Sequence, residues 1–188
     1  PIDEAWSLTA RPGCLRLKTA RVVDNLFVAP NTLTQRMVGP SCSASVCIDL
    51  KGMKNGDRTG FAAYNGDSGV LTVEKNKGKK ELVMSEQYSV FGDNQGVKVI
   101  KEVKTKEMAR IPLKSNRIYL RIDGEFGLGK DWATFFYSLD GKQWNQIGEP
   151  VKMVFDYRRM FMGSKYAVFN YATKKLGGYV DVESFEYK

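Results

Sequence analysis

The densest run of acids in the chain is Asp181-Val182-Glu183-Ser184-Phe185-Glu186. Glycoside hydrolysis uses two carboxylates across the scissile bond, one as acid and one as base or nucleophile. Some β-sandwich glycanases carry a Glu-x-Asp-x-x-Glu strand that projects three acids into a cleft. Centring that pattern on Asp181 requires Glu at 179 and 184, where this chain has Tyr179 and Ser184. The segment therefore reads as an edge strand with Asp181 and Glu183 on the face opposite Val182. A calcium site using Asp181 is the second reading, and calcium is the one cofactor candidate in the sequence; a hard cation needs several converging oxygens. Histidine is absent, which removes Ser-His-Asp and Cys-His nucleophiles, His-ligated zinc and histidine general bases. Cys14, Cys42 and Cys47 show no CxxC spacing and read as small buried apolar residues. Cys42 and Cys47, five apart, fall on opposite faces of one strand and cannot pair with each other. No glycine-rich loop follows a strand and opens a helix, so nucleotide binding has no support.

Other chemistry would rest on aromatics and charge. Trp6, Trp132, Tyr64, Tyr88, Tyr119, Tyr166 and Tyr171 are the candidates for an exposed platform on which sugar rings stack. In Phe136-Tyr137-Ser138-Leu139-Asp140-Gly141-Lys142-Gln143-Trp144 the Asp-Gly pair closes a hairpin, with Trp144 expected to cover its own turn. The net charge is +8, but the lysines are dispersed. The dense run Lys75-Asn76-Lys77-Gly78-Lys79-Lys80-Glu81 reads as a solvated hairpin tip rather than a phosphate track. No nucleic-acid partner is expected. No apolar run approaches the roughly 20 residues of a membrane helix, and no membrane partner is expected.

Positioning falls to strands. No window of a dozen residues carries a helical apolar period, whereas short β-rich runs recur about every ten residues. Strands are expected at 14–19, 32–38, 42–50, 58–65, 69–75, 80–87, 97–106, 116–123, 132–139, 143–147, 160–171 and 178–187. Asn55-Gly56-Asp57, Asn65-Gly66-Asp67, Gly92-Asp93-Asn94, Asp140-Gly141 and Gly177-Gly178 punctuate them as turn residues that accept positive φ. Ile118, Leu120 and Ile122 point to one face, and Arg117, Tyr119 and Arg121 to the other. Phe61-Ala62-Ala63-Tyr64 is apolar on both faces and reads as a central strand. The expected fold is all-β: residues 1–188 as one two-sheet antiparallel β-sandwich.

Six motifs in order carry a family resemblance: Trp6-Ser7-Leu8-Thr9-Ala10-Arg11-Pro12-Gly13-Cys14-Leu15-Arg16-Leu17; Asn31-Thr32-Leu33-Thr34-Gln35-Arg36; Gly60 to Asn65; Phe136 to Trp144; Phe161-Met162-Gly163; and Gly177 to Tyr187. Together they resemble the C-terminal concanavalin A-like jelly-roll domain of glycoside hydrolase family 43 (GH43) β-xylosidases and α-L-arabinofuranosidases. The resemblance implies an accessory domain without chemistry of its own, whose partner is a catalytic five-bladed β-propeller of the same polypeptide holding two Asp and one Glu. It implies that a loop of the sandwich delivers an aromatic to the propeller pocket. The corresponding stretch is 153–159, where Phe155 or Tyr157 is the aromatic and Arg158 and Arg159 supply a polar rim; Phe155, Tyr157 and Arg158 are the expected sugar or pocket contacts. The chain opens at Pro1 without Met, signal or transit peptide, so a signal, tag or domain is expected upstream. A periplasmic or extracellular location is favoured, and an oligo- or polysaccharide is the expected ligand. Two alternatives stand beside this reading: an independent lectin-like carbohydrate-binding module, and a self-sufficient hydrolase with unrecognised carboxylates.

Overall fold

The computed structural model describes residues 2–154, 156 and 162–188. Fourteen strands are present among them: β1 (Trp6–Ser7), β2 (Leu15–Lys18), β3 (Leu33–Arg36), β4 (Ser41–Asp49), β5 (Asp57–Tyr64), β6 (Asp67–Asn76), β7 (Lys79–Asn94), β8 (Val97–Leu113), β9 (Arg117–Glu125), β10 (Trp132–Ser138), β11 (Asn145–Gln146), β12 (Val151–Lys152), β13 (Lys165–Ala172) and β14 (Tyr179–Tyr187). The described helical structure is two 3₁₀ turns, Asp3–Ala5 and Leu26–Val28. One sheet runs β1-β2-β14-β4-β9-β10-β11, with β12 also on β10; the other runs β3-β13-β5-β6-β7-β8. All strand pairs are antiparallel. The fold is the expected all-β, two-sheet sandwich.

Strand alternation fixes what lies between the sheets. Val46, Ile48, Leu120, Ile122 and Phe135 of the first sheet meet Phe61, Leu71, Leu82, Met84 and Tyr166 of the second. A second, smaller cluster lies on the far face of the second sheet, where Leu26 of the 3₁₀ turn covers Ala62, Val70, Ala167 and Phe169. The two clusters explain why β5 is apolar on both faces. Ile118, Leu120 and Ile122 are buried while Arg117 is exposed, as the alternation requires.

Three expectations are corrected. The 178–187 strand is not an edge: β14 lies between β2 and β4, and its acids tolerate that place because arginines meet them. The hairpin read as 80–87 and 97–106 is much longer, and it reverses at Gln95-Gly96 (φ 53° and 82°) rather than at Gly92. Gly92 instead continues the strand beneath the Lys101 side chain. Cys42 and Cys47 are buried, but Cys14 is half-buried; all three are free thiols. The tip in the lysine run falls at Lys77-Gly78 (φ 49° and 78°), as read.

Candidate functional site

The described residues on either side of the 153–159 stretch are pinned to the sandwich. On the way in, β12 pairs with β10 through Lys152 opposite Trp132. The Met153 amide then donates to the Asp131 carbonyl at 2.7 Å, and the Met153 side chain is buried in the core. On the way out, the Ser164 carbonyl accepts from the Met37 amide at 3.0 Å and the Ser164 hydroxyl from Asn65 Nδ2 at 3.3 Å. β13 then enters between β3 and β5. Phe155, Tyr157 and Arg158 themselves lie outside the described residues. The described stems lie at the end of the sandwich where β10 begins.

Three further features gather at that end. The 37–40 segment packs on the start of the 125–132 connection: the Phe126 amide donates to the Pro40 carbonyl at 2.7 Å, and a side chain on Gly39 would meet Phe126. This contact holds Val38 and the fully exposed Leu128 outward. Trp132 stands exposed at the mouth of β10, with the Lys152 ammonium 5.7 Å from its ring centre. The long hairpin also projects here. β6 begins opposite Tyr88 and the Ser89 amide bonds to the Gly66 carbonyl at 3.0 Å; past that point β7 and β8 pair only with each other among the described residues. This two-stranded arm carries Val97 exposed near its tip. Val38, Val97, Leu128 and Trp132 are among the exposed apolar residues of the molecule, and at this end they suit a contact with another surface.

Asp49, Asp181 and Glu183 are engaged by arginines. Asp181 is buried, with Oδ1 2.7 Å from Arg16 Nε and Oδ2 2.8 Å from Arg16 Nη2 and 3.4 Å from Arg11 Nη1. Arg11 also reaches Asp49 at 3.1 Å and Glu183 at 2.7 Å, and Arg117 binds Glu183 at 2.8 Å. The Arg16 hydrogen bond holds the Asp181 carboxyl below its usual range against the effect of burial. Burial pushes Glu183 up, but hydrogen bonds from Arg117 and Arg11 outweigh it and leave it lowered. These residues do not suit calcium: the oxygens that would converge on the ion are already held by guanidinium groups. Among the described residues no group of three or more His, Cys, Asp or Glu is placed to hold a metal. Cys47 shares the cluster, its thiol 3.4 Å from Glu183 Oε2. Burial first, and Glu183 second, push it up to about 11, so it stays a thiol at neutral pH and is a poor nucleophile.

The aromatic candidates divide. Trp6, Tyr88 and Trp132 are exposed. Tyr64 packs on Phe27 with centroids 5.3 Å apart, and Tyr119 covers the Gly141 turn. Tyr166 and Tyr171 are core: Tyr166 stacks on Phe61 at 5.6 Å and donates to Cys42 Sγ at 3.2 Å. Trp144 lines the same surface as the Gly141 turn, and Arg121 lies 4.8 Å from its ring centre. Trp144 and Arg121 line a trough on the outer face of the first sheet. The outward place of Arg121 was legible from strand alternation, but its meeting with Trp144 was not, because the two residues lie 23 positions apart on neighbouring segments.

A family model, the beta xylosidase C-terminal concanavalin A-like domain (GH43_C2), matches residues 1–188. The chain belongs to this family. The GH43_C2 assignment agrees with the relatives. A beta-xylosidase of Formosa agariphila is 29% identical over 209 residues, covering all of this chain and 31% of its own length. A bifunctional GH43-CE protein of Bacteroides eggerthii shares 38% identity with a TM-score of 0.86, covering all of this chain and 22% of that one. An engineered GH43 glycoside hydrolase, described as having endo-xylanase and exo-arabinofuranosidase activity, aligns with a TM-score of 0.88 at 29% identity over 37% of its chain. The chain thus spans less than a third of the curated relatives it matches. In these relatives a GH43_C2 domain is one part of a larger GH43 protein.

Proposed function

We propose that this chain is the accessory domain of a GH43 enzyme acting on xylan- or arabinan-derived glycosides. It packs on a catalytic propeller of the same polypeptide and helps shape the substrate pocket. The observation that carries the reading is the match of the GH43_C2 family over the whole chain, while the chain covers only 22–37% of the similar GH43 structures. The described residues flanking the 153–159 stretch, Met153 and Ser164, are hydrogen-bonded to the sandwich, which is compatible with this reading. An aromatic beside a guanidinium is the side-chain mix found at desolvated contact centres.

The test uses the full-length enzyme and the 188-residue chain in parallel. Phe155→Ala or Tyr157→Ala is expected to lower kcat/KM on an aryl xyloside or arabinoside by about tenfold, with Arg158→Ala smaller. The thermal midpoint of the isolated sandwich should not move. The 188-residue chain alone should turn over neither substrate. If both aromatic variants leave the kinetics unchanged, the pocket role is wrong. Turnover by the chain alone that vanishes in Asp181→Asn would make it a hydrolase in its own right.

A further inference from the structure

The outer face of the first sheet holds a trough of about 650 Å³. Its floor is the outward row of β4 (Ser41, Ser43, Ser45) beside Arg121 and Asp123 of β9. One wall is Trp144 with the Gly141 turn, and the other is Glu186 of β14 with Lys188 just beyond it. The four steps from Ser41 to Ser45 span roughly 13 Å at the strand rise, which exceeds one sugar ring.

The polar groups in it are held in place. The Ser43 hydroxyl donates to Asp123 Oδ1 at 2.6 Å; Arg121 Nε lies 3.2 Å from the same oxygen, an ion pair without hydrogen-bond alignment. The Arg121 guanidinium is also fixed by two rings, 4.3 Å from the centre of Phe136 and 4.8 Å from that of Trp144. A stacked guanidinium loses little freedom when it donates further hydrogen bonds. The trough therefore combines an aromatic wall, a pre-set cation–carboxylate pair and a line of hydroxyls.

The chemistry narrows the ligand. Lining carboxylates (Asp123, Glu125, Glu186) outnumber lining cations (Arg121, Lys188), which disfavours phosphate backbones and uronate chains. The floor consists of strands paired on both sides, so no strand edge is open for an added peptide strand. An apolar ligand would face serines and charges. A neutral polyol fits: ring C–H faces pack on aromatics, while hydroxyls both donate and accept.

We propose that this trough is a binding site for a neutral oligosaccharide, with Trp144 as its wall and Asp123 and Arg121 as its hydroxyl-binding pair. Ser41 and Glu125 stand at its far end, and Glu125 is opposite the exposed Trp132 in the β9–β10 register. The trough thus runs toward the end of the sandwich where β10 begins. The site stands without the accessory reading, which enters only in the choice of a xylan-derived probe.

The test is titration of the 188-residue chain with xylohexaose, read by calorimetry and by the fluorescence of its three tryptophans, with trigalacturonate as the anionic comparison. Saturable binding of xylohexaose in the millimolar range or tighter is expected. It should weaken about tenfold or more, a loss of about 1.4 kcal/mol, in Trp144→Ala and in the near-isosteric Asp123→Asn. It should be unchanged in Trp6→Ala, on the opposite flank. Circular dichroism melts of each variant separate lost binding from lost fold, and Trp144→Phe, which keeps a ring, should bind at an intermediate level. The proposal is overturned if xylohexaose does not bind, if folded Trp144→Ala and Asp123→Asn bind like the parent, or if trigalacturonate binds more tightly. None of these outcomes touches the accessory role, which is read from the full-length enzyme's kinetics.

Discussion

Arg11 and Arg16 come from the first family motif, and Asp181 and Glu183 from the last. The structure brings them together because Arg16 is the register partner of Asp181 across β2 and β14. What looked like a row of acids is the anionic half of an ion-pair network. The sequence showed both halves, but spacing along one strand cannot reveal a neighbour 165 positions away. Removing one partner of a buried pair strands the other charge. Asp181→Asn is therefore expected to cost about 2 kcal/mol at pH 7, measured as a shift in urea midpoint. The pH dependence follows from the sign of the shifts. Asp181 and Glu183 have folded pKa values below their unfolded ones, so the unfolded state binds more protons as pH falls. Their contribution is full above about pH 4–5, where the unfolded carboxyls are ionised, and is lost as pH drops through the folded values. Asp181→Asn should thus flatten the acid arm of the stability curve. Asp57 works the other way: burial raises its carboxyl and one of its oxygens has no hydrogen-bond partner, so acidification relieves part of its cost. An unchanged acid arm in Asp181→Asn would show that the network adds no stability.

The strands were the most legible element, because apolar alternation and Asn-Gly or Asp-Gly turns are local signals. Partnership between strands was not, since it depends on contacts distant in sequence. Gly69 illustrates the difference. In the sequence it is an unremarked glycine inside a strand. In the structure it lies on β6 beneath Phe135 of β10, and an added Cβ would sit 2.1 Å from the ring. The two sheets approach closely there because one side contributes no side chain. Gly69→Ala should force Phe135 out of its place or separate the sheets, costing about 2–3 kcal/mol as overpacking does. Phe135→Leu alone should cost about 1 kcal/mol as a partial cavity. The double variant should be more stable than the sum predicts, because the smaller side chain makes room for the methyl. Strict additivity in a double-mutant cycle read by chemical denaturation would show that Gly69 and Phe135 do not share the same space. The motif glycine Gly60 is a sterner case, since its Cβ would lie 1.9 Å from the Leu71 carbonyl oxygen and backbone cannot step aside as a ring can.

Across the whole molecule, several features share one end of the sandwich. The 153–159 stems, Val38, Leu128, Trp132 and the arm formed by the tip of β7 and β8 all lie at the same end. An isolated two-stranded ribbon gains little stability in water, and Leu128 buries none of its side chain. Such features are costly to leave exposed and become favourable once covered. The proposed catalytic partner of the same polypeptide supplies a cover, and it must lie at this end if the loop is to reach its pocket. Burying a Leu or Val side chain contributes roughly 1.5–3 kcal/mol. A charge in its place removes that gain and adds a desolvation cost. Leu128→Asp and Val97→Asp should therefore weaken association of the 188-residue chain with a separately expressed catalytic part by tenfold or more. Leu139 is also exposed but follows the opposite end of β10, so Leu139→Asp should leave association unchanged. The thermal midpoints of the isolated variants should stay close to the parent, because none of the three side chains is in the core. Association can be read by sedimentation velocity, and its consequence by the activity restored when the chain is added in trans. If Leu139→Asp disrupts the complex while Leu128→Asp and Val97→Asp do not, the docking face is at the other end and the loop cannot serve the pocket.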